Sequence, residues 1–124
     1  GVMMRPWVGE VALDEQGNVI ERFEHGEWRR VISGDSAATV RALMLASVAY
    51  GYASAAAIPG ATVGGKTGTA EVGEGEPHAW FTGFAEANGR RLVVAVVVEH
   101  GGAGSQTALP IGRTLLASAL GLEP

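Results

Sequence analysis

Asn88-Gly89 stands between two apolar segments, and that dipeptide narrows the folds open to this chain more than any other feature. Type I′ turns need positive φ at both central residues, which asparagine followed by glycine supplies at least cost. The spacing predicts a tight antiparallel hairpin, with one strand at about 79–85 and the other from Arg91 to Glu99. The second strand reads Leu-Val-Val-Ala-Val-Val-Val over residues 92–98, apolar at every position. Such a strand is expected inside a sheet covered on both sides. The same run is far too short to span a bilayer.

The rest of the chain arranges itself around that hairpin. Residues 7–13 and 18–23 flank Asp14-Glu15-Gln16-Gly17 and read as a second hairpin with a polar turn. Ser33-Gly34-Asp35 offers a helix N-cap, Val40, Leu43, Met44 and Ser47-Val48 follow at helical spacing, and Gly51 is the stop. Ile58-Pro59-Gly60 signals a turn, and residues 65–72 carry β-favouring threonines with no helical period. Trp80 and Phe81, being neighbours on a strand, should point to opposite faces. Leu109, Ile111, Leu115-Leu116 and Leu120 give an apolar face to a helix over 105–120, ended by Gly121. Hairpin, helix, three consecutive strands and helix make an α+β fold, an antiparallel sheet covered by helices.

Composition sets limits. The 124 residues amount to one small domain, and the net charge of −4 lacks the basic patch of a nucleic-acid surface, so no nucleic-acid partner is expected. With no cysteine, thiolate metal sites and disulfides are excluded. The chain opens abruptly at Gly1-Val2-Met3-Met4, neither a signal peptide nor an anchor, and is expected to be cut from a larger protein. Eight of the nine basic residues are arginine, and the one lysine, Lys66, lies in a Gly/Thr-rich stretch. A compact ammonium there fits a role that the planar guanidinium does not.

Gly60-Ala61-Thr62-Val63-Gly64-Gly65-Lys66-Thr67 satisfies the G-x-x-x-x-G-K-[ST] pattern of a nucleotide-binding loop. That loop works only between a buried strand and a helix whose N-terminal amides hold phosphate. Upstream, Ala53 to Pro59 is a poor strand; downstream, Gly68, Gly73, Gly75 and Pro77 forbid the helix. No nucleotide partner is expected.

Gly64-Gly65-Lys66-Thr67-Gly68-Thr69-Ala70-Glu71 resembles the Lys-Thr-Gly box of penicillin-recognising enzymes. Pro77-His78-Ala79-Trp80-Phe81-Thr82-Gly83-Phe84 resembles the strand that follows this box in class B penicillin-binding proteins. Met4-Arg5-Pro6, the Ser33–Gly51 helix, the Pro59-Gly60 lead and the terminal helix fall in that family's order, so the similarity covers essentially the whole chain. The resemblance implies a partial penicillin-binding protein/serine β-lactamase-like transpeptidase fold, with residues 1–124 forming the C-terminal portion of one transpeptidase domain.

What the resemblance implies about chemistry is specific. A D-alanyl-D-alanine stem peptide, or a β-lactam that mimics it, adds as a strand along an exposed sheet edge. Hydroxyls at Thr67 and Thr69 hold its carboxylate, Lys66 supplies positive potential, and the backbone N–H of Thr69 is half of an oxyanion hole. Lys66 and Thr69 are thus the catalytic candidates, and Thr67, Gly68 and Thr69 the substrate-binding ones. Gly65 and Gly68 are expected to let the ligand backbone approach. No cofactor and no metal is implied. The whole protein would be anchored in the bacterial cytoplasmic membrane by an upstream segment, with this domain on its extracytoplasmic side.

Two family motifs have no counterpart. With Lys66 the sole lysine, Ser-x-x-Lys would need serine at position 63, which is Val63; Asn18 and Asn88 are preceded two positions earlier by Gln16 and Glu86, so Ser-x-Asn is absent too. Without a nucleophile this chain is expected to be inactive alone and to partner the N-terminal remainder of the same protein. Lacking that remainder, strand 92–98 would carry a free apolar edge. A non-catalytic peptide-binding module of the same fold is the alternative, and a serine β-lactamase a further one. His78 is expected to be a partly buried structural residue, and His25 and His100 to be solvated and without companions.

Overall fold

The computed structural model describes all residues, Gly1–Pro124. They divide into two compact units, Gly1–Ala38 and Thr39–Pro124. Along the chain run β1 (Val2–Met4), β2 (Val11–Leu13), β3 (Val19–Arg22), β4 (Glu27–Arg30), α1 (Gly34–Tyr50), a single 3-10 turn (Ser54–Ala56), β5 (Thr62–Ala70), β6 (His78–Ala87), β7 (Arg90–Val98) and α2 (Ala108–Leu120).

In the first unit the expected hairpin is β2–β3, with Val11 opposite Arg22 and Ala12 opposite Glu21. Asp14 organises its turn. One carboxylate oxygen accepts the backbone N–H of Gln16 at 2.9 Å and of Asn18 at 2.8 Å, and the other accepts the Asn18 side-chain amide at 2.9 Å. These bonds hold the Asp14 carboxyl below the ordinary aspartate range, the Asn18 side chain contributing most. The regular ladder is shorter than the apolar pattern predicts. Trp7 instead stacks on His25, ring centroids 3.6 Å apart, so His25 has a companion after all. A second pair, β1 with β4, closes outside this hairpin, with Val2 opposite Arg30; the sequence pattern does not predict it.

Helix α1 starts as its cap residue dictates, with Ser33 Oγ accepting the Ser36 N–H at 3.1 Å. At the other end Gly51 donates to Ser47 O at 3.0 Å. The helix turns Val48 inward, while Val40 and Leu43, expected on the same face, are exposed.

The second unit holds the three-stranded antiparallel sheet β5-β6-β7, with helix α2 packed on it. Asn88 (φ 53°) and Gly89 (φ 72°) make the positive-φ turn between β6 and β7. Leu109, Gly112, Leu116 and Leu120, spaced by three and four, are the buried stripe of α2. The three leucines join Ala79, Phe81 and Ala85 of β6 in the core. Full burial of each leucine is worth about 1.5–3 kcal/mol. Gly121, at φ 71°, closes α2, and Leu122 donates to Ala117 O at 2.9 Å.

Strand β7 departs from expectation. Leu92, Val94, Val96 and Val98 pack on the core, but Val93 is 77% exposed and Val97 47%. Within this chain the strand is covered on one face only, because α2 backs one side of the sheet and no second layer packs on these valines. It is also the last strand of the sheet, so its outer edge has no strand beside it.

Candidate active site

The Lys-Thr-Gly segment lies in β5, at the opposite edge of the sheet from β7. Its register with β6 sets Lys66 opposite Thr82, Thr67 opposite Phe81, Gly68 opposite Trp80 and Thr69 opposite Ala79. Directly opposed residues of an antiparallel pair share a face, and successive residues alternate. Thr67 and Thr69 therefore lie on the face of the buried Phe81 and Ala79, whereas Lys66 and Gly68 lie on the face of Trp80 and Thr82. Phe81 is 1% exposed and Trp80 45%, opposite faces as expected. One side of β5 is bonded to β6 and its other side has no strand beside it, which leaves main-chain groups available to an added strand.

The glycines of the segment answer to internal packing. A Cβ on Gly65 would meet the Phe81 ring at 2.8 Å, and one on Gly68 would meet Trp80 Cβ at 3.2 Å. The space left by each missing side chain is filled by the neighbouring strand's aromatic residue. Internal packing is thus a reason of its own for glycine at both positions, beside the approach of a ligand backbone expected of Gly65 and Gly68.

Lys66 is exposed, and its ammonium donates to the backbone carbonyl of Thr67. Thr69 Oγ1 accepts the backbone N–H of Gly104 at 3.4 Å. Gly104 belongs to the segment between β7 and α2, where a Cβ would collide with the carbonyl oxygens of Gly68 and Trp80. That segment is fixed by further bonds. Gly102 N donates to Pro77 O at 2.9 Å, Thr107 Oγ1 to Gly101 O at 2.7 Å and Leu109 N to Gly104 O at 2.9 Å.

The histidines revise another expectation. His78 Nδ1 accepts the backbone N–H of His100 at 2.9 Å, and the two rings meet edge-to-face with centroids 4.8 Å apart. His100 Nδ1 is 3.0 Å from Glu76 O. His78 is half-buried, as expected, but His100 is its partner. No group of three or more His, Asp or Glu side chains could hold a metal ion.

A family description, that of the penicillin binding protein transpeptidase domain, matches residues 1–117. The chain belongs to this family. Among its relatives is the peptidoglycan D,D-transpeptidase PbpA of Mycobacterium tuberculosis, 36% identical over 134 aligned positions that take in 100% of this chain and 27% of the relative. PbpA of Mycolicibacterium smegmatis is 37% identical over 97% of this chain and 26% of its own length. Penicillin-binding protein A from M. tuberculosis, solved as an imipenem acyl-enzyme complex, superposes with a TM-score of 0.85 at 36% identity, over 97% of this chain and 27% of that one. The D,D-transpeptidase domain of a peptidoglycan glycosyltransferase from Eggerthella lenta gives 0.82 at 36% identity, over 98% and 29%. The chain thus spans about a quarter of the length of the curated relatives it matches. Its fold is a part of the penicillin-binding transpeptidase fold, and no helix in it is long and apolar enough to cross a membrane.

The sequence does not single out Gly104, and it marks His100 only as a solvated residue without companions. The only signal for them is the Gly101-Gly102-Ala103-Gly104 run, flexible chain directly after an apolar strand.

Proposed function

We propose that this chain is the C-terminal portion of the catalytic domain of a D,D-transpeptidase that cross-links peptidoglycan and is acylated by β-lactams. The observation that carries the reading is the placement of Lys66, Thr67, Gly68 and Thr69 on a sheet edge with no neighbouring strand. In the reaction a nucleophilic oxygen bonds to the carbonyl carbon of the penultimate D-alanine. The C–N bond to the terminal D-alanine breaks, and a proton passes to the leaving amine; an amine of a second stem peptide then takes the acyl group.

This chain contributes three things to that step. The Thr67 and Thr69 hydroxyls bind the peptide carboxylate, Lys66 supplies positive potential, and the Thr69 N–H stabilises the developing oxyanion. The nucleophile comes from a Ser-x-x-Lys motif that this sequence does not contain, so the chain is inactive alone. Its partner is the N-terminal remainder of the same protein, and the exposed Val93 and Val97 of β7 are the apolar surface which that remainder covers. The whole protein works on the extracytoplasmic side of the bacterial cytoplasmic membrane. Support comes from the M. tuberculosis relative, which forms acyl-enzymes with imipenem, ceftriaxone and penicillin G.

Intact-mass measurement after incubation with penicillin tests the proposal. The full-length protein should gain one penicillin mass, outside the peptides of this segment, and Lys66→Ala should slow its formation. An adduct within residues 1–124 overturns the assignment of the nucleophile. No adduct on the full-length protein favours a non-catalytic peptide-binding module.

A further inference from the structure

His78 and His100 lie outside the four residues assigned to chemistry, yet they sit at the start of the segment whose Gly104 N–H reaches one of those residues. His78 opens β6, opposite Ala70, one position beyond Thr69 in β5. Its Nδ1 holds the N–H of His100, a non-glycine residue at φ 52°. Histidine enters that left-handed region more readily than most residues but still at a cost, so the conformation persists through its contacts. His100 begins the segment that carries the Gly104 N–H onto Thr69 Oγ1. A hydroxyl has one hydrogen and two lone pairs. With a lone pair of Thr69 occupied by an N–H, its hydrogen is free to point at an anion.

The tautomers follow from the partners. Glu76 O can only accept, so His100 Nδ1 carries a hydrogen. The His100 backbone can only donate, so His78 Nδ1 must be bare. Protonated His100 keeps its bond; protonated His78 loses its own, because two N–H groups then face each other. Over residues 70–77 and 98–112, the stretches around His78, the ionisable side chains are Glu71, Glu74, Glu76, Glu99 and His100 itself; Lys66 of β5, Glu86 of β6, Arg90 and Arg91 of β7 and Arg113 of α2 lie further along their elements. Ionised carboxylates accept only, so none of them competes as a donor for His78 Nδ1.

We infer that His78 is a positioning residue for carboxylate binding: unprotonated, it latches the Glu99–Thr107 segment so that Gly104 orients the Thr69 hydroxyl, and protonation releases the latch. The inference rests on the proposed function and adds a pH-dependent control of ligand binding to it.

The test uses the full-length protein and a fluorescent penicillin, with the apparent binding constant and the limiting acylation rate resolved from about pH 8 to pH 5, where histidine side chains charge. In the wild type, binding should weaken about fivefold to tenfold toward acid, the worth of one hydrogen bond, while the limiting rate changes little. His78→Asn, whose side-chain oxygen can accept but does not titrate, should bind as the wild type does at pH 8 and flatten the acid limb. His78→Leu should bind weakly at every pH. NMR hydrogen exchange at the His100 and Gly104 amides gives a reading independent of acylation, and protection should fall with acid in the wild type but not in His78→Asn. An unchanged acid limb in His78→Asn, or amide protection indifferent to His78, overturns the latch. Absent acylation with amide protection still governed by His78 overturns the proposed function and leaves the latch standing.

Discussion

Gly112 of α2 stands directly over the Phe81 ring of β6, so close that a Cβ there would overlap the ring carbons. Gly65 and Gly83 stand within Cβ reach of the same ring, so one aromatic side chain fills the space of three missing ones. Phe81 is rigid and 1% exposed and cannot swing aside. Gly112→Ala should therefore destabilise the fold by about 1–3 kcal/mol through overpacking, despite alanine's better helix propensity. Adding Phe81→Leu should recover part of that loss, a coupling that a double-mutant cycle in urea measures. Additive losses would mean that helix and ring do not touch.

Glu86 should be the electrostatic tie of the second unit. One of its oxygens meets Arg41 Nη2 of α1 at 2.7 Å and the other meets Arg91 Nε of β7 at 2.8 Å. The arginines are 46% and 76% exposed, so solvent screens both pairs. Glu86→Gln is expected to cost no more than about 1 kcal/mol, and Arg91→Ala close to nothing. Both effects should shrink with added salt, read from urea midpoints at low and high ionic strength. A salt-independent loss for Glu86→Gln would point to packing rather than charge.

Asp14 should govern the acid response of the first hairpin. Its folded carboxyl titrates below the ordinary aspartate value of 3.8, chiefly through the Asn18 side chain. A depressed folded pKa means a contribution present above the unfolded value and lost as pH falls through the folded one. NMR titration should show the Gln16 and Asn18 amides shifting with an apparent pKa below 3.8. In Asn18→Ala that inflection should move up toward the ordinary value. If it stays put, the carboxylate is held by something other than Asn18.

The turns and the β5–β6–β7 meander were legible because their signals are local. Asn88-Gly89 encodes its own geometry, Ser33 its own cap, and Gly121 its own helix stop. The pairing of β1 with β4 was not, since Val2 and Arg30 meet across the whole hairpin and Glu-Trp-Arg-Arg shows no alternation. The two faces of β7 could not be told apart because valine occupies both; Val93 and Val94 differ only in what packs on them. Lys66 to Thr69 stood out by motif, whereas Gly104 reaches Thr69 across 35 residues by a backbone N–H, which any residue but proline could donate. What picks out glycine there is the nearness of two carbonyls, a property of the folded sheet alone.

That nearness yields the sharpest test of the site. A Cβ on Gly104 would run into the carbonyl oxygens of Gly68 and Trp80, both backbone groups of paired strands that cannot give way cheaply. Gly104→Ala must then lift the segment off β5 and lengthen the contact between the Gly104 N–H and Thr69 Oγ1. Under the proposed function, the second-order rate of β-lactam acylation of the full-length protein should fall by about tenfold through weaker binding, the worth of roughly one hydrogen bond to an anion. Thr69→Val removes the same hydroxyl and should lower it comparably. Combining the two should add little, because each disables the same contact. If the losses multiply instead, Gly104 acts on the strand backbone and the oxyanion N–H rather than through the Thr69 hydroxyl.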